Sequence, residues 1–149
     1  MKILLFAAFL SCTVAVLKAQ NVKNMETSKD SSAIAKGLED YYFKGIYEGD
    51  TTTLATIFHP GTLLFGDVKG QPYAKTLAQY LEGVANRQSV KDSGKPFEGR
   101  IISIDVINSI AAVKVHVKMY DFNYDEFLSF HRFGERWLIV NKMITDVSN

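Results

Sequence analysis

Cysteine is almost absent from this chain, which has a single one, Cys12, among 149 residues. It lies in an apolar run, Ile3 to Val16, that follows the basic start Met1-Lys2. One cysteine cannot form an internal disulfide. If this segment is removed, the remaining chain has no thiol, which excludes both disulfide bonds and a cysteine nucleophile.

The N-terminal segment has the features of a secretory signal peptide. A short positive start, an apolar run and the small residue Ala19 before Gln20 occur in the expected order. The apolar run is shorter than the roughly 20 residues of a spanning helix, although a buried helix or a membrane anchor is an alternative. Lipid modification of Cys12 is disfavoured because apolar residues continue after it. We predict a signal peptide over residues 1–19, export to the periplasm or outside the cell, and no stable membrane span after cleavage.

Neither sign of charge is in excess, since 17 Lys and Arg oppose 16 Asp and Glu. Cleavage after Ala19 would remove Lys2 and Lys18, two of the 17 basic residues, and leave 15 against 16 acidic ones. A nucleic-acid-binding protein needs a clustered positive face, so we expect no nucleic-acid partner. The length and a hydrophobic content of 47% indicate a single globular domain.

Motifs for cofactors and catalysis are also missing. The sequence has no Gly-rich phosphate loop and no Ser-His-Asp order, and its three histidines lack metal-ligand spacing. We therefore expect neither a cofactor nor a metal site.

The residues that are present indicate helices first and strands afterwards. Residues 20–32 are polar and without an apolar period, which predicts a flexible N-terminal tail ahead of a domain over residues 33–149. Apolar residues three and four apart predict three helices, namely Ala33–Glu48, Thr52–Phe58 and about Tyr73–Asn86. A short strand is predicted at Thr62–Phe65 and a loop at Arg87–Glu98.

Four strands with turn residues between them are predicted in the last third of the chain: Arg100–Ile107, Ile110–Tyr120, Tyr124–Phe133 and Arg136–Ile144. Helices ahead of an antiparallel sheet define the α+β class. The third strand is apolar on both faces, with Leu128 and Phe130 on one and Phe127 and Phe133 on the other. Because such a strand is usually covered on both sides, we predict a homodimer formed through the sheet.

Three stretches carry a resemblance to a known superfamily: Tyr47-Glu48-Gly49-Asp50 with Phe58-His59-Pro60-Gly61; Tyr80 to Arg87; and Arg100 to Val106 leading to Gly134 to Lys142. They resemble nuclear transport factor 2-like domains, nearest to the branch called "putative lumazine-binding" within the wider polyketide cyclase-like (SnoaL-like) group. The resemblance implies a cone-shaped fold in which three N-terminal helices pack on a curved antiparallel sheet and enclose a pocket. The superfamily contains enzymes, binding modules and assembly domains, so the fold does not define the function.

Two residues are candidates for acid/base catalysis. His59, at the predicted end of the second helix, would lie near the pocket rim, although it is also suited to bind the last carbonyls of that helix. Asp67 follows the first strand, one residue beyond the position at which ketosteroid isomerases of this superfamily keep their base. Since a shift of one residue turns a strand side chain to the other face, Asp67 is more simply a turn residue.

The candidate ligand-binding residues are mostly aromatic and would suit a planar ligand; they are Tyr41, Tyr42, Phe65, Tyr80, Phe130 and Trp137. A plain aromatic core is the alternative. Asn141 interrupts the apolar face of the last strand and is the polar candidate, either facing the pocket or hydrogen-bonded as a structural amide.

Three hypotheses follow. The first is an exported domain that binds a small apolar or aromatic molecule in its cone and dimerises through its sheet. The second is an isomerase, dehydratase or cyclase-like enzyme that uses His59 or Asp67 in the same pocket. The third is an interaction module with a filled cone.

Overall fold

A computed structural model describes Met25 and residues 27–148. The predicted signal peptide and Cys12 lie outside these residues. The first element is a long helix, α1, over residues 27–48, which has π geometry at Leu38–Phe43 and α geometry again at Lys44–Glu48. Gly49, with φ of 67°, ends it in the left-handed conformation that glycine adopts without strain.

Helix α1 begins earlier than its apolar period indicates. Residues 27–32, predicted to belong to a flexible tail, are helical. Asp30 explains this, because its Oδ1 accepts a hydrogen bond from Trp137 Nε1 at 3.1 Å. Ser32 also donates from its hydroxyl to the carbonyl of Ser28. The polar first turns are thus tied to the sheet by a side chain.

Three shorter helices follow: α2 at Thr51–Ala55, α3 at Leu77–Ala85 and α4 at Val90–Ser93. Asp50 caps α2, since its carboxylate accepts from the backbone N–H groups of Thr52 and Thr53. Thr76 and Gln79 form a capping box at the start of α3. Helix α4 lies in the segment predicted to be a loop.

Six strands form one sheet: β1 Phe58–Val68, β2 Gln71–Thr76, β3 Phe97–Ile107, β4 Ile110–Met119, β5 Phe122–Phe133 and β6 Arg136–Asp146. Their spatial order is β2-β1-β6-β5-β4-β3. Every pair is antiparallel except β1 and β6, which are parallel. The sheet is therefore mixed, and the α+β cone in which helices cover one face is confirmed.

The first part of the sheet was the least predictable from sequence. Strand β1 is 11 residues long and begins at Phe58, which had been assigned to a helix. Strand β2 includes Tyr73–Thr76, which were predicted to begin the third helix. Lys69 and Gly70, with φ of 52° and 73°, form the tight reversal between the two strands. A strand forms here in place of the predicted helix, because the edge of β1 provides hydrogen-bonding partners for β2.

A β-bulge in β6 determines which of its side chains face the helices. Ser129 pairs with Asn141 and Phe130 pairs with Ile139, so Val140 has no partner in the ladder. One extra residue reverses the inward and outward alternation beyond it. Ile139 lies inward before the bulge, and Lys142 lies inward after it.

The core lies between α1, α3 and the inner face of the sheet. On β4 the apolar face of period two is buried throughout: Ala111, Val113, Val115, Val117 and Met119. Leu128 and Phe130 extend it on β5, while Phe127 and Phe133 are exposed on the outer face as predicted. The inner face therefore presents a continuous apolar floor to the helices.

Candidate functional site

A cavity of about 360 Å³ lies between α1, α3 and the inner face of the sheet. Most of its wall is apolar, and its ionisable lining residues are three tyrosines and four charged residues. They are Tyr73, Tyr80, Tyr124, Lys75, Arg87, Glu126 and Lys142. An apolar cleft of this size with a few convergent polar groups is the usual form of a small-molecule site.

A closed hydrogen-bond network forms the inner end of this cavity. Lys142 Nζ lies 2.8 Å from Glu126 Oε1 and 2.5 Å from the hydroxyl of Tyr42. The Tyr42 hydroxyl donates to Glu126 Oε2 at 2.5 Å. The side chains of Lys142 and Glu126 are 4% and 3% exposed. Such a buried ion pair persists only when its partners are well placed, so its members hold one another in position.

Burial and neighbouring charges raise the pKa values of Tyr42 and Lys142, so both groups keep their protons. Burial raises the pKa of Tyr42 well above its ordinary value, and the charge of Glu126 raises it further. Burial alone lowers the pKa of Lys142, but the charge of Glu126 and the hydrogen bond to it more than offset this, so the pKa is raised. Near neutral pH Lys142 therefore carries an ammonium and Tyr42 a neutral phenol.

The ring of Tyr80 lies beside the ammonium group. Lys142 Nζ lies 5.0 Å from its centroid, which is a cation–π distance. Tyr42 contacts the ammonium through its hydroxyl rather than through its ring face. Both carboxylate oxygens of Glu126 are thus engaged within the network, one by Tyr42 and one by Lys142.

The outer part of the cavity has polar groups without partners. Arg87 Nη2 and the Tyr124 hydroxyl are buried and have no hydrogen-bond partner among the described residues. Burial raises the pKa of Tyr124 to about 12, with a further contribution from Asp146. Lys75 Nζ lies 5.4 Å from the ring centroid of Tyr73. Buried donors are normally satisfied, so these groups point to a missing partner.

Two of the predicted ligand-binding residues lie at this site. Tyr80 lines the cavity, and Tyr42 stands directly behind Lys142. The other aromatic candidates lie elsewhere. Tyr41 and Phe65 are exposed, Phe130 is in the solid core, and Trp137 contacts Asp30.

The prediction that Asn141 could face the pocket is wrong, and the β6 bulge is the reason. Asn141 lies beyond the bulge on the outer face, where its Nδ2 donates to the carbonyl of Leu63 at 3.1 Å. The alternative reading, a hydrogen-bonded structural amide, describes its contacts. Lys142, the next residue, faces the pocket instead.

Neither acid/base candidate lines the cavity. His59 lies in β1 rather than at a helix end; its Nδ1 accepts from the Gly61 N–H, and its ring stacks on Phe133 at 5.0 Å. The carboxylate of Asp67 accepts hydrogen bonds from the Thr145 hydroxyl and the Asp146 N–H. Both side chains are engaged away from the pocket.

Sequence reasoning missed Glu126 and Lys142. A signal for Glu126 was present, because it shares the period-two face of Leu128 and Phe130 in β5. Lys142 could not be found in this way, since its face depends on the bulge. Within the described part of the chain, no group of three His, Cys, Asp or Glu residues could hold a metal ion. No helix there is long and apolar enough to cross a membrane.

Comparisons with solved structures place this fold among nuclear transport factor 2-like proteins. One neighbour of unknown function, from Shewanella baltica OS155, has 18% identity and a TM-score of 0.71 over 82% of this chain and 97% of its own. A second, from Silicibacter pomeroyi DSS-3, has 22% identity and a TM-score of 0.72 over 80% and 98%. A third, from Methylobacillus flagellatus KT, has 19% and 0.71 over 80% and 94%. At these identities the likeness shows the fold alone.

The sequence profile of the family described as "Putative lumazine-binding" matches residues 29–145, nearly all of the described chain. The chain belongs to this family. No curated protein matches it. The resemblance found in the sequence is thereby confirmed at the level of both superfamily and branch.

Proposed function

We propose that this protein is an exported domain that binds a small, planar, largely apolar molecule in its cone. The observation that carries this proposal is the cavity of about 360 Å³, apolar in its walls and ending at the buried network of Tyr42, Glu126 and Lys142. A packed core would have filled this volume. The family description supports a planar ligand, because lumazine is a planar bicyclic compound.

The inner network gives the ligand an orientation. The apolar body would lie against Val117, Met119 and Ile144, with Tyr80 beside it. A carbonyl or hydroxyl group at its inner end could bond to Lys142, which has a third N–H beyond those used for Glu126 and Tyr42. Catalysis by His59 or Asp67 receives no support, because neither lines the cavity.

A pair of neighbouring substitutions on β4 tests the proposal. Val117 points into the cavity and Lys118 points to the outer face. A panel of planar heterocycles that includes lumazine is screened against the purified mature chain by thermal shift and native mass spectrometry. A bound compound at about a hundred times its Kd stabilises the fold by about 2.7 kcal/mol. Val117→Trp should abolish this shift, and Lys118→Trp should preserve it.

Binding that survives in Val117→Trp, with that variant folded by circular dichroism, would locate the ligand outside the cone. A panel in which nothing binds the native chain, together with no ligand retained from the producing cells, would contradict the proposed function.

Export is the second part of the proposal and is supported by the N-terminal pattern of residues 1–19. The intact mass and the N-terminal sequence of the protein from fractionated cells test it. A mature chain that starts at Gln20 is expected. A lipid-modified chain that starts at Cys12, or an uncleaved chain in the cytoplasm, would contradict it.

Dimerisation through the outer face of the sheet is the third part. Phe65, Met143 and Phe127 pair across β1, β6 and β5 and form a row on that face, with exposures of 44%, 54% and 56%. A second copy of the chain can cover this row with the same row, as a twofold interface requires. Light scattering after size exclusion should show a dimer that Phe127→Asp dissociates and Lys118→Asp does not. A native chain that stays monomeric at several hundred micromolar would refute this part.

A further inference from the structure

We propose that the ligand of this cavity is an organic acid, an aromatic or apolar body that carries a carboxylate, and that Arg87 binds the carboxylate. This inference rests on the proposed function and names the chemical class of its ligand. It follows from the balance of charge around the cavity and from the unsatisfied guanidinium at its outer end.

The charged residues that line the cavity do not balance. Glu126 is the one carboxylate among the described lining residues, and Lys142 neutralises it at 2.8 Å. Lys75 and Arg87 remain, and neither forms an ion pair with a described residue. An apolar cleft with surplus positive charge concentrates anions, because low-dielectric walls focus the field. A neutral ligand would not neutralise the charge of Lys75 and Arg87.

Arg87 has the geometry of an anion-binding group. It follows the end of α3 by two residues and borders the cavity, and its Nη2 is buried without an acceptor among the described residues. A guanidinium presents paired N–H donors that match the two oxygens of a carboxylate.

Arg87 and Lys142 act on the same enclosed space. The charges of both lower the pKa of Tyr73, although burial, the largest effect, raises it overall. Val84, Met119 and the rings of Tyr73 and Tyr80 line the same cavity. A ligand can therefore place its ring system against this apolar wall with its carboxylate at Arg87 and a second polar group at the Lys142 network.

Matched naphthalene probes test the inference by calorimetry at pH 7.5 and low salt. The probes are naphthalene-2-carboxylate, the neutral naphthalene-2-carboxamide and 2-naphthyl phosphate. We expect the carboxylate to bind at least about tenfold tighter than the amide, the usual gain from a hydrogen-bonded charge. Arg87→Gln should remove this advantage, so that the carboxylate and the amide bind with affinities within about twofold of each other. Arg100→Gln, which removes an exposed arginine on β3, serves as the control.

The outcomes separate the inference from the function on which it rests. Equal binding of the carboxylate and the amide, unaffected by Arg87→Gln, overturns the carboxylate assignment and leaves the cone as a ligand site. Preferential, Arg87-dependent binding of the phosphate replaces a carboxylic acid by a phosphate ester and overturns the stated class. Loss of amide binding in Arg87→Gln would mean that Arg87 has a structural role. Failure of all three probes, at millimolar concentration, to bind the native chain contradicts the inference and the proposed function together.

Discussion

Replacement of Lys142 by methionine should destabilise the fold by about 3–5 kcal/mol, because it leaves the carboxylate of Glu126 buried without its counter-ion. The two groups are 2.8 Å apart and almost fully buried, so water solvates the remaining charge poorly. A domain of this kind has about 5–15 kcal/mol of stability in total. The variant is therefore expected to be folded but marginal at room temperature.

The same geometry predicts that the two substitutions are not additive. Glu126→Gln alone leaves the ammonium of Lys142 unpaired, whereas the double variant Glu126→Gln with Lys142→Met removes both charges. We expect the double variant to be more stable than the sum of the single losses by about 1–3 kcal/mol. Tyr42→Phe, which removes a hydroxyl that both donates and accepts within the network, should cost about 1–3 kcal/mol.

Urea unfolding followed by circular dichroism measures these free energies, with Lys118→Met as the control on the outer face. That substitution should change stability by no more than about 0.5 kcal/mol. A loss below about 1 kcal/mol for Lys142→Met, or strict additivity with Glu126→Gln, would refute the buried ion pair.

The pH dependence of the free energy of unfolding gives a further check on the ion pair. Since folding raises the pKa of Lys142, its contribution is complete below the unfolded value of 10.5 and is lost as the pH rises through the folded value.

Three further outcomes are expected, each measured by thermal or urea unfolding. Gly83→Ala should stabilise helix α3 by about 0.5–1 kcal/mol, since Gly83 lies within the helix and an added Cβ would meet no atom within 4 Å; a loss would contradict the open space beside it. Gly66→Ala should destabilise the fold severely, because Gly66 has φ of 140° and an added Cβ would overlap the carbonyl oxygen of Ile144; tolerance of alanine would contradict the parallel pairing of β1 and β6. Hydrogen bonds from Lys114 and then His116 lower the pKa of Asp125, so its contribution is present above the unfolded value of 3.8 and is lost as the pH falls through the folded value. Asp125→Asn should therefore flatten the acid limb of the stability profile, and an unchanged limb would contradict the pairing.

Features that depend on neighbouring residues could be predicted from the sequence. The period of three and four locates α1, and the period of two locates the buried face of β4 from Ala111 to Met119. Asp50 reveals the start of α2 because its side chain caps a helix two residues away. These signals come from residues a few positions apart, so distant parts of the chain do not alter them.

The first sheet hairpin shows where such local reasoning ends. Tyr73 to Thr76 suits a helix or a strand, and the free edge of β1, which pairs with Thr76 at Leu63, decides the choice. The parallel pairing of β1 with β6 joins residues about 80 positions apart. The local hydrophobic period of a strand does not identify a partner strand that far away in the sequence.

The site depends even more on the tertiary structure. The sequence by itself determined the first helix, the four strands of the last third, the apolar face of β4 and the supply of aromatic side chains. The folded chain alone decided that Tyr42, Glu126 and Lys142 meet, although 84 and 100 residues separate the first from the others. The physical reason is the unpaired Val140, because one extra residue in a ladder of period two turns Lys142 inward and Asn141 outward.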